Sequence, residues 1–128
     1  MEVWYAMNIF IDDLRLAPEK YTHSFLTAES FLCWCEAHDY PTIELLSLDH
    51  DLGDEFMNGF ELVKQLVELH IPVKRVQFHT DNMLWFKNMY YFLKNAAERG
   101  SLPTIESIEK RKIICIDGVE SIAPYMVL

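Results

Sequence analysis

The sequence has 128 residues, 51% of them hydrophobic, and a net charge of −9 at pH 7. This length and apolar content predict a single folded domain over residues 1–128 rather than a disordered chain. The negative charge argues against duplex nucleic acid as a ligand, because binding it requires a basic surface. The sequence has neither a signal-peptide pattern nor an apolar run long enough to span a membrane. We therefore expect a cytoplasmic protein with no membrane contact.

The first half of the chain combines short apolar runs with one helical pattern. We predict strands over residues 7–11 and 43–48, and a weaker strand over 21–26. A helix is predicted over 28–38, with Thr27 as its N-cap.

The second half continues the alternation. Helices are predicted over 59–70 and 83–98, with a strand over 73–78 between them. The apolar run 112–116 predicts a further strand, and 119–128 is expected to form a short helix or an edge segment.

Strands that alternate with helices indicate a receiver-like three-layer α/β sandwich with a mainly parallel sheet of about five strands. Three of the predicted strands run directly into polar residues: Asp12-Asp13, Asp49-His50-Asp51 and His79-Thr80. The C-terminal ends of parallel strands lie at one edge of a sheet, and ligands bind at this edge in open α/β folds. We therefore predict a functional site there.

The layout resembles the receiver fold, in which the strands are ordered 2-1-3-4-5. Asp12-Asp13 is similar to the acidic pair of receivers, and Asp49 falls at the phosphoacceptor position. Thr80 falls near the hydroxyl residue that follows strand 4. These matches imply the receiver fold.

One part of the receiver pattern is missing from the predicted elements. Receivers carry a lysine at the C-terminal end of strand 5, whereas the predicted strand 112–116 ends at Asp117-Gly118. Lys110 and Lys112 lie at its opposite end. This difference argues against an ordinary phosphoacceptor receiver, which we consider the least favoured function.

A divergent branch, the cyclic-phosphate processing receiver-like family, is more similar. The matching runs cover about residues 7–98 and are IFIDDLRLAP (9–18), SLDHDLG (47–53), NGF (58–60) and HTDNM (79–83). The resemblance implies action on cyclic-phosphate nucleotides or on RNA ends that bear a cyclic phosphate.

Hydrolysis of a cyclic phosphodiester requires a base, an acid and positive charge near the phosphoryl oxygens. His50 and His79 are the candidate catalytic residues, because imidazole titrates near neutral pH. Arg15 is the candidate phosphate-binding cation, and Thr80 and Asn82 open a helix whose N–H groups can bind an anion.

The aspartates Asp12, Asp13, Asp49 and Asp51 allow two interpretations. They can hold Mg²⁺ or Mn²⁺, or they can orient the histidines and Arg15 without a metal. No cofactor is certain from the sequence. Strand alternation would point Asp49 and Asp51 one way and His50 the other, unless the chain turns after Asp49.

Two classes of function therefore remain open. The first is a phosphoesterase or binding domain for cyclic phosphates. The alternative is a non-catalytic interaction domain, a small acidic adaptor or inhibitor, which would bind a protein partner or self-associate through the aromatic helix at 83–97.

Overall fold

The computed structural model describes residues 7–14, 16–53, 55–80, 82–110, 112–113 and 120–121. Its main sheet contains five parallel strands: β1 (Asn8–Ile11), β2 (His23–Phe25), β3 (Ile43–Leu48), β4 (Val73–Phe78) and β5 (Ser107–Lys110). The strands are ordered β2-β1-β3-β4-β5. This arrangement confirms the predicted receiver-like α/β layout and its strand order.

Three helices connect the strands: α1 (Ala28–Ala37), α2 (Gly59–Glu68) and α3 (Met83–Glu98). Buried side chains from all three join one apolar cluster, which we call the main core. Apart from Ile43 and Val73, at the starts of β3 and β4, the sheet contributes alternate residues to this cluster: Ile9, Ile11, Leu46, Leu48, Val76, Phe78 and Ile108. Because side chains alternate along a strand, the described helices pack on a single face of the sheet.

The opposite face of the sheet is more polar. Phe10, Ser47 and Gln77 are buried there but do not belong to the main core. The connection between β1 and β2 covers part of this face, with the Tyr21 ring 5.0 Å from that of Phe10. The Tyr21 hydroxyl also accepts a hydrogen bond from Gln77 Nε2 at 3.2 Å.

Each helix begins at a side chain that caps it. Thr27 Oγ1 accepts from Ser30 N at 3.1 Å, which confirms the predicted cap of α1. Asn58 and Glu61 form a capping box at the start of α2, and Asn82 caps α3. These caps satisfy backbone N–H groups that otherwise lack partners at a helix start.

The longest helix, α3, turns most of its bulky side chains inward. Phe86, Met89 and Leu93 are fully buried, whereas Leu84 and Tyr91 remain exposed. Binding of a partner through this helix stays a prediction. No helix in the described part of the chain is long and apolar enough to cross a membrane.

The prediction of the last strand of the sheet was wrong. Strand β5 spans Ser107–Lys110, with Lys110 paired to Phe78. As an edge strand it contributes only Ile108 to the main core, so its apolar signal is weak. Lys112–Ile113 instead forms β6, which pairs antiparallel with β7 (Glu120–Ser121).

With β5 at Ser107–Lys110, a lysine does stand at the C-terminal end of the fifth strand, as it does in receivers. Lys110 lies at the C-terminal end of β5, on the same edge as the predicted site, and it is buried. The remainder of the predicted strand, residues 114–116, and Asp117-Gly118 lie outside the described residues.

Two isoleucines test this assignment. Ile108→Ala should lower the free energy of unfolding by about 2–4 kcal/mol, because it leaves a cavity in the main core. Ile105→Ala, a matched change at a partly buried position before β5, should cost about 1 kcal/mol. Urea denaturation measures both, and equal costs would contradict the placement of β5.

Candidate functional site

A cavity of about 670 Å³ opens at the C-terminal edge of the sheet. Its walls come from the segments after β1, β3 and β4 and from the starts of α2 and α3. The described lining residues are Asp13, Leu14, Asp49, His50, Asp51, Gly53, Phe56, Asn58, Glu61, Thr80, Asn82 and Trp85. The cavity thus lies where the sequence predicts a ligand site.

A tight turn after β3 brings three consecutive polar residues to this cavity. Asp49 Oδ1 accepts a hydrogen bond from His50 N at 2.7 Å. Gly59 N donates to His50 O at 2.8 Å, and a Cβ at Gly59 would lie 2.4 Å from the Asp49 carbonyl oxygen. Because the chain turns after Asp49, Asp49, His50 and Asp51 all line one cavity instead of alternating between two sides.

His50 packs its ring against the first turn of α3. Its imidazole stacks on the Trp85 indole, with ring centroids 4.1 Å apart and planes at 13°. Its Nε2 is buried without a hydrogen-bond partner among the described residues. A buried nitrogen without a partner costs free energy, and a ligand or water that hydrogen-bonds to it would remove that cost.

Burial lowers the pKa of His50 below its ordinary value of 6.5, because desolvation disfavours the charged ring. The negative charges of Asp49, Asp51 and Glu61 oppose this shift but are smaller effects. His50 is therefore mainly neutral at pH 7, the form in which a histidine acts as a base.

Two helices begin at the cavity wall. At α3, Thr80 Oγ1 accepts from Asn82 N and Asn82 Oδ1 accepts from Trp85 N, each at 3.2 Å. At α2, Asn58 Oδ1 accepts from Glu61 N at 2.9 Å. Both asparagines use their amide oxygen as a cap, so the remaining polar group of each side chain is a donor. The positive ends of two helix dipoles thus meet at this cavity.

Carboxylates give the cavity a negative lining. Four of them line it, Asp13, Asp49, Asp51 and Glu61, and no lysine or arginine does so among the described residues. Desolvation, followed by the charges of Asp12, Asp51 and Asp49, raises the pKa of Asp13, against the lowering effect of a backbone hydrogen bond.

The four aspartates predicted to support the site or to bind a metal do not all line the cavity. Asp49 and Asp51 line the cavity with Asp13, but no three His, Cys, Asp or Glu side chains in the described ranges converge at metal-binding spacing. The Asp12 carboxylate does not line the cavity and instead contacts His79 Nε2 and Leu14 N. Metal binding by the cavity carboxylates stays a prediction.

His79 lies behind the cavity instead of lining it. It is 1% exposed, and its ring stacks on Phe10 with centroids 4.9 Å apart. Its Nε2 lies 2.8 Å from Asp12 Oδ2, and its Nδ1 lies 2.9 Å from Ser47 Oγ. The structure therefore does not bring the two predicted catalytic histidines to one ligand surface.

Asp12 links this buried pair to the cavity wall. Its Oδ1 accepts from Leu14 N at 2.8 Å, which fixes the chain on both sides of Asp13. Asp12 and Ser47 are themselves buried. Asp12, Ser47 and His79 thus form a buried hydrogen-bonded chain that ties together segments of β1, β3 and β4.

Of the three residues predicted to bind phosphate, the structure describes two. Thr80 and Asn82 line the cavity as expected. Arg15, the predicted phosphate contact, lies outside the described residues. Phe56 and Trp85 also line the cavity, although neither was predicted to belong to the site.

A comparison with protein-family models finds a matching family. The family described as the cyclic-phosphate processing receiver domain matches residues 7–95. No curated protein and no solved structure matches the chain. The matched range contains every described residue that lines the cavity.

The approach of Gly59 to the turn after β3 can be tested by adding one methyl group. Gly59→Ala should cost about 2–4 kcal/mol of stability, because its Cβ would meet the rigid backbone of Asp49. Gly100→Ala should cost only about 1 kcal/mol, because its penalty is a positive φ in open space. Thermal unfolding measures both, and a Gly59→Ala variant as stable as Gly100→Ala would contradict the turn geometry.

Proposed function

The chain belongs to the family of cyclic-phosphate processing receiver domains, and we propose that it binds and hydrolyses 2′,3′-cyclic phosphates of nucleotides or RNA ends in this cavity. The observation that carries the proposal is the imidazole of His50. It lines the cavity, is held by a ring stack and has an unpartnered Nε2.

In the proposed reaction, the neutral His50 ring acts as a general base. The ring takes a proton from water as the water oxygen attacks phosphorus. The bond from phosphorus to one ribose oxygen breaks, and that oxygen takes a proton from solvent. The product is a phosphomonoester with an adjacent hydroxyl group.

The starts of α2 and α3 favour an anion in the cavity. The helix dipoles place partial positive charge at these ends, and Thr80, Asn58 and Asn82 add neutral hydrogen-bond donors. Arg15 remains the proposed cation for the phosphoryl oxygens. We route no step through a metal ion.

This mechanism gives the two histidines different roles. His50 contacts the ligand, whereas His79 acts as a positioning residue through Asp12, which holds the segment around Asp13. Truncation of His79 leaves a buried carboxylate without this partner, so its main effect falls on stability.

Replacement of the proposed base is the direct test. His50→Gln should lower kcat for ring opening of a nucleoside 2′,3′-cyclic phosphate by roughly 10²–10⁴-fold while the protein stays folded. The matched control is His38→Gln, at an exposed residue after α1, and it should retain full activity.

Chromatographic separation of substrate and product measures these rates. Full activity in His50→Gln would rule out the base role. Absence of turnover by the native chain across a panel of cyclic phosphates would refute hydrolysis altogether.

The pH dependence gives a second prediction. Because protonated His50 cannot accept a proton, kcat/KM should fall as the pH drops through the lowered pKa of His50, with an inflection below 6.5. Trp85→Leu removes the stacked indole and exposes the ring, so the inflection should move up towards the ordinary value. An inflection that is the same in both proteins would contradict the assignment to His50.

A further inference from the structure

Phe56 is an unusual residue in a cavity with such a polar lining. Its side chain is 49% exposed, although burial of a phenylalanine is favourable. A Cβ at Gly53 would lie 3.3 Å from the Phe56 ring, so the ring rests on this glycine. Gly53 has a φ of 98°, and its carbonyl oxygen accepts from Phe56 N at 3.2 Å. The backbone thus holds an aromatic face at the cavity surface.

Two carboxylates lie beside Gly53, the glycine on which this ring rests. Asp13 Oδ2 lies 3.9 Å from the same Cβ position at Gly53, and Asp51 Oδ1 accepts from Gly53 N at 3.1 Å. Ionised carboxylates accept hydrogen bonds and cannot donate them. This part of the cavity therefore combines an exposed aromatic ring with acceptors at its edge.

A flat, uncharged ring with hydrogen-bond donors on its edge complements this surface. Nucleobases stack on aromatic side chains, and single-stranded RNA is recognised in this way. A phosphate fits poorly here, because it would face Asp13 and Asp51. The base end of a nucleotide therefore belongs at Phe56, and its phosphate belongs near His50 and the start of α3.

The carboxylate also distinguishes among the four bases. The Watson–Crick edge of guanine presents two adjacent donors, N1–H and the N2 amino group, which match the two oxygens of one carboxylate. Adenine and cytosine place an acceptor nitrogen beside their amino group, and uracil flanks its single donor with two carbonyl oxygens. In these three bases an acceptor would face the carboxylate.

On the basis of the proposed function, we infer that Phe56 stacks the base of the ligand, that Asp13 accepts hydrogen bonds from its Watson–Crick edge, and that the preferred ligand is a guanine nucleotide with a 2′,3′-cyclic phosphate. Phe56 and Asp13 are then specificity residues. They select the ligand without taking part in the proton transfer at His50.

Calorimetric titration of the full chain tests this assignment. The probes are the four nucleoside 2′,3′-cyclic monophosphates, methyl riboside 2′,3′-cyclic phosphate, which lacks a base, and guanosine, which lacks a phosphate. The guanosine cyclic phosphate should bind most tightly. Phe56→Ala should weaken its binding roughly 5- to 100-fold, and should change binding of the base-free probe by less than about twofold.

Two further variants complete the design. Asp13→Asn replaces one acceptor oxygen with a donor, so the preference for guanine over adenine and cytosine should disappear. Tyr91→Ala is the matched control, because it removes an aromatic ring of similar exposure, 51%, that lies on α3 and does not line the cavity. This variant should bind the guanosine cyclic phosphate as tightly as the native chain. Should Phe56→Ala fail to fold, Phe56→Leu removes the ring and keeps apolar bulk.

The probes separate failure of the base site from failure of the proposed function. If the base-free probe binds as tightly as the guanosine compound, or if all four nucleotides bind equally, the base site is refuted and cyclic-phosphate binding stands. If guanosine binds in a Phe56-dependent manner but the cyclic phosphate adds no affinity, the base site stands and the proposed function fails.

Discussion

The close contact between Gly59 and the turn after β3 is the constraint on which the site depends. Gly59 N donates to the His50 carbonyl oxygen at 2.8 Å, so the start of α2 packs against the turn at which the chain leaves the sheet. Without this turn, strand alternation would separate Asp49 and Asp51 from His50. The same contact brings the start of α2 against the cavity. One residue without a side chain therefore sets both the position of the imidazole and the direction of a helix dipole.

The two histidines at the sheet edge show how position along a strand determines chemistry. His50 follows a turn and lines the cavity, and its Nε2 is buried without a partner among the described residues. His79 directly follows Phe78, which points into the main core, so alternation sends His79 to the opposite face. There, both of its nitrogens are engaged by Asp12 and Ser47. Complete hydrogen bonding offsets the cost of burying His79, whereas His50 is only partly buried and keeps one nitrogen whose hydrogen bond is not made.

Much of the fold could be predicted from the sequence, because β3 and β4 are compact apolar runs and Thr27 is a strong capping residue. Strand β5 could not, because an edge strand with one core residue has a weaker apolar signal than the run at 112–116. The site residues after β3 were predictable as a cluster, but their common orientation depends on a tertiary contact. The orientation of His79 away from the main core could be predicted, because side chains alternate along a strand and Phe78 points into that core. The stack of Trp85 on His50 could not be predicted, because it joins two segments that are distant in the sequence.

The uneven charge of the cavity constrains how any nucleotide can lie in it. Asp13 and Asp51 lie beside Gly53 without a helix start, whereas near His50 the charges of the carboxylates are accompanied by the capped starts of two helices. A cyclic phosphate loses favourable interactions at the first end and gains them at the second, because the helix dipoles are positive there. An uncharged base has the opposite preference, since it can donate hydrogen bonds to carboxylates. Under the proposed function, the negative lining would therefore orient a nucleotide, and it would disfavour anions that carry no hydrogen-bond donors.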